Sequence, residues 1–246
     1  MTQASLGAVL AALVATAAYR ARALSAGGAV AAFAVGAVVF GAAGWRGAAV
    51  LFAFFIPSAL LSRGTQTRTE WQVLANGGVA AVCAILAARG VAPFAAAFAG
   101  AFAAASADTW ATEIGTRLGR EPISILTLRP VAVGRSGGIT LAGTVATAGG
   151  ALCVGVAAAL AHLAPLWSVA LAGIAGSLVD SLLGAGVQAL RWCPACAREC
   201  ETRRHDCGTP AALRRGVGWI ENDAVNFAAT LAGAGVALSL ALLVHS

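Results

Sequence analysis

"VAPFAAAFAGAFAAASADTWATEIGTRLGR", residues 91–120, runs from Val91 to Ala107 without a charged side chain and then sets down Asp108, Glu113, Arg117 and Arg120 in quick succession. A helix needs about 20 apolar residues, and at least about 17, to cross the hydrocarbon core of a bilayer. The uncharged part of this stretch meets the lower bound. The polar part marks where such a helix would leave the lipid.

The rest of the chain reads the same way. Of its 246 residues 59% are hydrophobic and 11% charged, less than half of the roughly one quarter carried by soluble domains. Eight apolar runs stand out, at 4–19, 24–44, 47–62, 71–88, 90–107, 137–162, 165–190 and 223–244. They are rich in Ala and Gly, which let helix backbones approach closely in lipid. The first run has the length of a signal-peptide core but no basic residue before it, so it is read as a span. The fold class predicted is an all-α, polytopic membrane protein with about eight transmembrane helices, built as one membrane domain over residues 1–246.

The arginines support the count, since the chain has no lysine. With the connections assigned alternately to two sides, one side holds Arg20, Arg22, Arg63, Arg68, Arg117, Arg120, Arg129, Arg135, Arg191, Arg198, Arg203, Arg204, Arg214 and Arg215. The other holds Arg46 and Arg89. Positive charge marks the cytoplasmic side, so the arginine-rich side faces the cytoplasm and both termini lie outside. The net charge of +6 is then a topology signal and not a nucleic-acid footprint. An arginine-rich inner face could also hold an anionic substrate.

All ten acids fall on that same side or inside a span adjoining it. Mere spanning gives no reason for that bias, whereas an enzyme using a cytosolic nucleotide does. Four polar clusters carry the chemistry. In residues 62–78, Gln72 and Asn76 stand one helical turn apart. In residues 105–120, Asp108 and Glu113 lie about 140° apart on a helix, so sharing a metal would require unwinding near Gly115 or reach from both sides. Acids at a membrane edge are costly and tend to be functional. In "GRSGGITLAGT", residues 134–144, Arg135, Ser136, Gly137 and Gly138 open a helix with exposed N–H groups, an arrangement suited to phosphate. In "GSLVDSLLGAGVQ", residues 176–188, Ser177, Asp180, Ser181, Gly184 and Gln188 form one polar stripe, and Asp180 needs a cation, a proton or an arginine. Beside these, "ENDAVNF", residues 221–227, offers Asn222, Asp223 and Asn226, with a helix N-cap explaining one of the first two.

The stretch "CPACARECETRRHDC", residues 193–207, has the most specific spacing. Cys193, Cys196, His205 and Cys207 supply four ligands for a closed, tetrahedral structural Zn²⁺, with Cys200 as a fifth candidate. The segment 191–218 is thus read as a zinc-binding-like loop on the cytoplasmic side, where disulfides are disfavoured. Cys83 and Cys153 fall within spans as packing residues.

Taken together, "ASADTWATEIG", "GRSGGITLAGT", "DSLLGAGVQ" and "NDAVNF" resemble, in order and wording, the integral-membrane family of plant phytyl-phosphate kinase and animal transmembrane protein 19. The likeness runs from about residue 62 to the end. More distantly, Asp108, Gly115, Gly119 and Arg120 followed by a Gly-rich stretch are similar to dolichol kinases and CDP-diacylglycerol synthases. The family's glycine motif commonly carries Thr where this chain has Arg135, and the cysteine loop resembles bacterial members only.

The resemblance implies phosphoryl transfer from a nucleoside triphosphate, CTP in the plant enzyme, to an isoprenyl monophosphate. On this reading Asp108, Asp180 and Asp223, with Glu113 and Asn226, hold Mg²⁺. Arg117, Arg120, Arg135, Ser136, Gly137, Gly138, Asn76, Gln188 and Asn222 bind substrate. The partners are the lipid phosphate, the nucleotide and the bilayer of the cell (inner) membrane, without nucleic acid; a homodimer stays open. A transporter or flippase for a phosphorylated lipid or small anion, and a CDP-lipid-forming nucleotidyltransferase, are the alternatives.

Overall fold

A computed structural model describes residues 2–62 and 67–245; Arg63, counted above, lies outside them. The described residues form seven helices: α1 (Gln3–Arg20), α2 (Ala26–Leu61), α3 (Glu70–Ala88), α4 (Phe94–Leu118), α5 (Leu141–Leu160), α6 (Leu166–Gly186) and α7 (Asn222–His245). Five short strands accompany them: β1 (Ile123–Ser124), β2 (Gly138–Ile139), β3 (Leu190–Cys193), β4 (Arg198–Cys200) and β5 (Ala212–Arg215). The architecture is that of an all-α membrane protein with two small sheets in its connections. Five of the helices, α2, α3, α5, α6 and α7, are long and apolar enough to cross a membrane by length and composition, where eight runs were predicted.

Helix α2 absorbs two of those runs, and it is not one rod. A straight helix of 36 residues would be about 54 Å long. Yet Ser25 at its start donates its N–H to the carbonyl of Arg68 at 2.9 Å. From Leu61 to Arg68 the chain can reach at most about 25 Å, so α2 must double back. It does so at Gly44, whose φ of 58° and ψ of −146° are non-helical. A Cβ at Gly47 would lie 3.2 Å from Cγ1 of Val39, two turns earlier in sequence, which only a reversal allows. The Gln3 side-chain amide donates to the freed carbonyls of Phe40 at 3.1 Å and Gly41 at 3.2 Å, closing the end of the first leg. The runs 24–44 and 47–62 are therefore the two legs of one hairpin.

Helix α4 is the axis of the molecule. It packs against α3, α5, α6 and α7, and every residue from Ala96 to Ala107 is buried, with no side chain in that run larger than those of Phe98 and Phe102. A helix apolar on every face belongs in the centre of a bundle. Its alanines and glycines set the spacing: a Cβ at Gly100 would lie 2.5 Å from Cβ of Ala237 and 2.6 Å from the carbonyl of Gly233. Phe102 stacks on Phe54 of the second α2 leg with ring centroids 5.3 Å apart. Thr230 on α7 donates to the Ala75 carbonyl on α3 at 2.9 Å.

Three boundaries differ from expectation and bear on the site. Helix α4 continues through Leu118 without unwinding at Gly115, because Gly115 packs closely on Gly143 of α5. Helix α5 begins at Leu141, since Gly138–Ile139 pairs antiparallel with Ile123–Ser124 first. Helix α6 ends at Gly186, so Gln188 lies beyond the stripe it was assigned to. The segment after α6 folds as the antiparallel sheet β4-β3-β5.

Candidate active site

The connections predicted to share one side meet at one end of the bundle, around a cavity of about 840 Å³. Asp108 and Glu113 reach it from α4, Asp180 from α6, Asp223, Asn222 and Asn226 from α7, and Asn76 from α3. Arg135, Ser136, Gly137 and Gly138 enter from the glycine turn. Five segments far apart in the sequence thus line one volume.

The carboxylates of Asp108 and Asp180 are close neighbours on the wall of this cavity. Oδ2 of Asp180 is buried with no hydrogen-bond partner among the described residues. Two carboxylates at such range cannot both stay ionised without a cation between or beside them, and oxygen-only donors of this kind suit Mg²⁺. Asp223 lines the same cavity from across α7, but the three aspartates do not close on a single ion-sized cluster; among the described residues only the cysteine loop does. Helix α7 starts at Asn222, so Asn222 and Asp223 occupy its first turn, and the Glu221 carbonyl accepts from Val225. The predicted N-cap role for either is thereby corrected.

Glu113, buried at 9% exposure, pairs with Arg117 at 3.1 Å. Arg117 also donates to the Leu61 carbonyl. Arg117 and Arg120 are exposed and are not on the cavity wall, so the pairing of Arg117 is with the protein's own groups. The wall instead carries Arg68, which sequence reading counted only toward topology. Its guanidinium donates to Oγ of Ser62 at 3.1 Å. Burial pulls its pKa below the usual value, and the charges of Glu113 and Asp108 oppose that shift.

The glycine turn is not the open nest expected. The N–H of Ser136 donates to Oε1 of Glu201 at 2.8 Å and its hydroxyl to Oε2 at 2.6 Å. The Gln188 amide donates to Oε2 of Glu201 at 2.9 Å and to Oγ of Ser136 at 3.0 Å. The Gly138 N–H turns back to the Arg135 carbonyl at 3.0 Å. Helix α5 is capped by Thr140, whose hydroxyl accepts from Gly143. Gly137 must be glycine twice over: φ is +75°, and a Cβ would lie 2.4 Å from the backbone nitrogen of Ala185 on α6. Arg135 pairs with Glu199 at 3.1 Å, and Glu199 with Arg214 at 3.2 Å. Glu199 and Glu201 flank the end of β4, so the cysteine segment grips the turn. Sequence reading grouped these glutamates with the other acids but gave them no partner.

That segment has its own centre. One ligand atom each from Cys193, Cys196, His205 and Cys207 lie within 4.8 Å of one another. Sγ of Cys193 and Cys207 are 3.6 Å apart, close to the ~3.8 Å expected for two thiolates on one tetrahedral zinc with Zn–S of about 2.3 Å. Nδ1 of His205 lies 3.2 Å from Sγ of Cys207. The Thr209 hydroxyl and backbone, then His205, draw the Cys207 thiol down to about 6. Cys200 stands apart, with its thiol on the Thr202 carbonyl at 3.6 Å.

The chain is 28% identical over 269 residues to Protein PGR of Arabidopsis thaliana, covering 91% of each chain. It is 27% identical to uncharacterized membrane protein sll0875 of Synechocystis, over 85% of this chain and 79% of the relative. It is 31% identical to uncharacterized membrane protein MJ0933 of Methanocaldococcus jannaschii, over 58% of this chain and 65% of that one. No solved structure matches. The sequence pattern described as "Integral membrane protein DUF92" matches residues 9–234, which takes in every helix but part of α1 and the end of α7. An integral membrane protein was expected from the motifs, and the match bears that out: this chain belongs to the DUF92 integral membrane family.

Proposed function

We propose that the chain is a membrane lipid kinase that moves the terminal phosphoryl group of a nucleoside triphosphate, CTP by resemblance, onto an isoprenyl monophosphate. The observation that carries this is the meeting of Asp108, Asp180 and Asp223, from three separate helices, on one cavity at one end of the bundle. In this reading the chain crosses the cell membrane eight times, with both termini outside and the cavity open to the cytoplasm.

Mg²⁺ fits the donor set, since Asp180 presents a buried carboxylate oxygen that no donor reaches. Asp108 and Asp180 would hold it, with Asp223 and Asn226 facing it across the cavity. When bound, it supplies charge neutralisation on the nucleotide phosphates. The chain's own residues do the positioning. Arg68 offers a planar fork of donors for phosphate, and Arg135, fixed by Glu199, adds a second positive charge to the cavity lining. A phosphate monoester oxygen is already an anionic nucleophile, so no strong general base is needed. Its attack forms a new P–O bond as the γ-phosphorus parts from the bridging oxygen, and the nucleoside diphosphate leaves. Zn²⁺ on Cys193, Cys196, His205 and Cys207 is structural in this reading and keeps Glu199 and Glu201 on the turn.

The transport alternative is disfavoured by the tight packing of the opposite half of α4, where Ala99, Ala101, Phe102 and Ala103 are fully buried. The test is an assay of purified protein with Mg²⁺, each of four labelled nucleotides and a panel of prenyl monophosphates. A prenyl diphosphate and a nucleoside diphosphate are expected. Release of pyrophosphate would mean nucleotidyl transfer instead. Asp180→Asn should lower turnover on the order of 100-fold or more with an unchanged gel-filtration profile; full activity would remove Asp180 from the site.

A further inference from the structure

A second cavity, of about 150 Å³, lies between α1, the two legs of α2, and α3. Its walls are apolar, among them Leu10, Val14, Val35, Leu51, Phe55 and Val73. Three of its lining residues are polar, and these three, Arg68, Gln72 and Asn76, also line the acidic cavity. The two volumes therefore meet along one turn of α3 and at Arg68, two residues before that helix begins. Asn76 is held in place by its amide, which donates to the Gln72 carbonyl at 2.8 Å.

We propose that this apolar cavity holds the first carbons, about six, of the lipid substrate's chain, and that Arg68 at its polar end meets the phosphate. The proposal rests on the reading of the chain as a kinase of lipid phosphates. Size sets the carbon count: a dry apolar cavity of about 150 Å³ accepts a molecule as large as benzene. Charge sets the class of ligand. Water has no partners along Leu, Val and Phe walls, and an uncharged chain would offer the donor fork of Arg68 at the mouth no acceptor of its own. An aliphatic phosphate satisfies both ends at once, chain on the apolar wall and oxygens on the fork of Arg68. Its phosphate then stands beside Asp108 and Glu113, the carboxylates whose charges Arg68 feels. Carbons beyond the first few lie outside the cavity, so recognition is confined to the part of the chain next to the headgroup.

The test is photolabelling of the full-length protein in phosphatidylcholine nanodiscs with a ten-carbon alkyl phosphate bearing a diazirine on its fourth carbon. Labelled peptides are mapped by mass spectrometry. Label is expected on Leu10, Val14, Val35, Leu51 or Val73. It should fall at least tenfold when the alcohol replaces the phosphate ester, and at least tenfold in Arg68→Gln. Leu51→Trp, which fills the cavity away from the charged end, should cut it as far while leaving the gel-filtration profile unchanged. Label confined to outward-facing residues such as Leu152, Val156 or Leu231 would overturn the proposal. So would cavity label that is equal for the alcohol and the phosphate, since any bilayer chain would then do. Labelling needs neither nucleotide nor turnover. Cavity label in a protein that transfers no phosphoryl group removes the kinase reading and leaves the cavity assignment; phosphoryl transfer with label elsewhere does the reverse.

Discussion

Glu201 accepts three donors, the N–H and hydroxyl of Ser136 and the amide of Gln188. Hydrogen bonds to a charged acceptor are worth about 1.5–3 kcal/mol each. Glu201→Gln removes the charge and sets one amide against another, so it should cost about 1.5–3 kcal/mol of stability, measured as a lower Tm in detergent. It should raise KM for the nucleotide more than it lowers kcat, because it loosens the turn and leaves the aspartates in place. Residues of this scale were unevenly legible. Asp108, Asp180 and Asp223 could be picked out because a charge in apolar sequence is costly and conspicuous. Glu201 and Arg68 could not, because each sits among other polar residues, and Glu201 finds its partner 65 positions away.

Among the elements, the reversal of α2 turns at Gly44. Its φ of +58° is one that a side chain resists, and strain of this kind costs about 1–3 kcal/mol. Gly44→Ala should therefore reduce the yield of monodisperse protein and lower Tm. Gly78→Ala, in the interior of α3 with nothing near its Cβ position, should leave both unchanged or raise them, by about 0.5–1 kcal/mol in stability. The hydropathy pattern found the two legs because Trp45 and Arg46 interrupt it; the sharpness of the turn is a matter of φ and ψ, which composition does not carry. The cysteine segment was more legible, since ligand spacing is local. Metal analysis should find about one zinc per chain. Cys193→Ser should lose it, and Cys200→Ser should keep it, as the Cys200 thiol is directed at the Thr202 carbonyl. The start of α5 was misjudged for a physical reason: Gly138 and Ile139 are apolar enough to extend the run but are taken by pairing with β1.

For the molecule as a whole, the arginine asymmetry and the acid asymmetry named the same end, and the cavity lies at that end. What could not be read was which helix is central. Helix α4 has the composition of a packed core and not of a lipid-facing span, and only the assembled bundle distinguishes those two. The proposed orientation has a direct check. Alkaline phosphatase fused after His245 should be active in cells, as it is only outside the cytoplasm, and the same enzyme fused after Arg204 should be inactive. The opposite pair of results would reverse the molecule in the membrane, and two active fusions would remove one crossing between them.

The wide sequence spacing of the grip on the glycine turn has a consequence for biosynthesis. Asp108 emerges from the ribosome long before Asp180, and the turn at Ser136 before the segment that carries Glu201. Through that interval the newly inserted helices must wait at the bilayer edge with acids unmatched and the turn unclamped. The finished pocket can arise only once α7 has been made and packs beside α4, with the cysteine segment folded against the turn. Any translocon partner or insertion chaperone serving this chain would thus be needed most in the window between those two events.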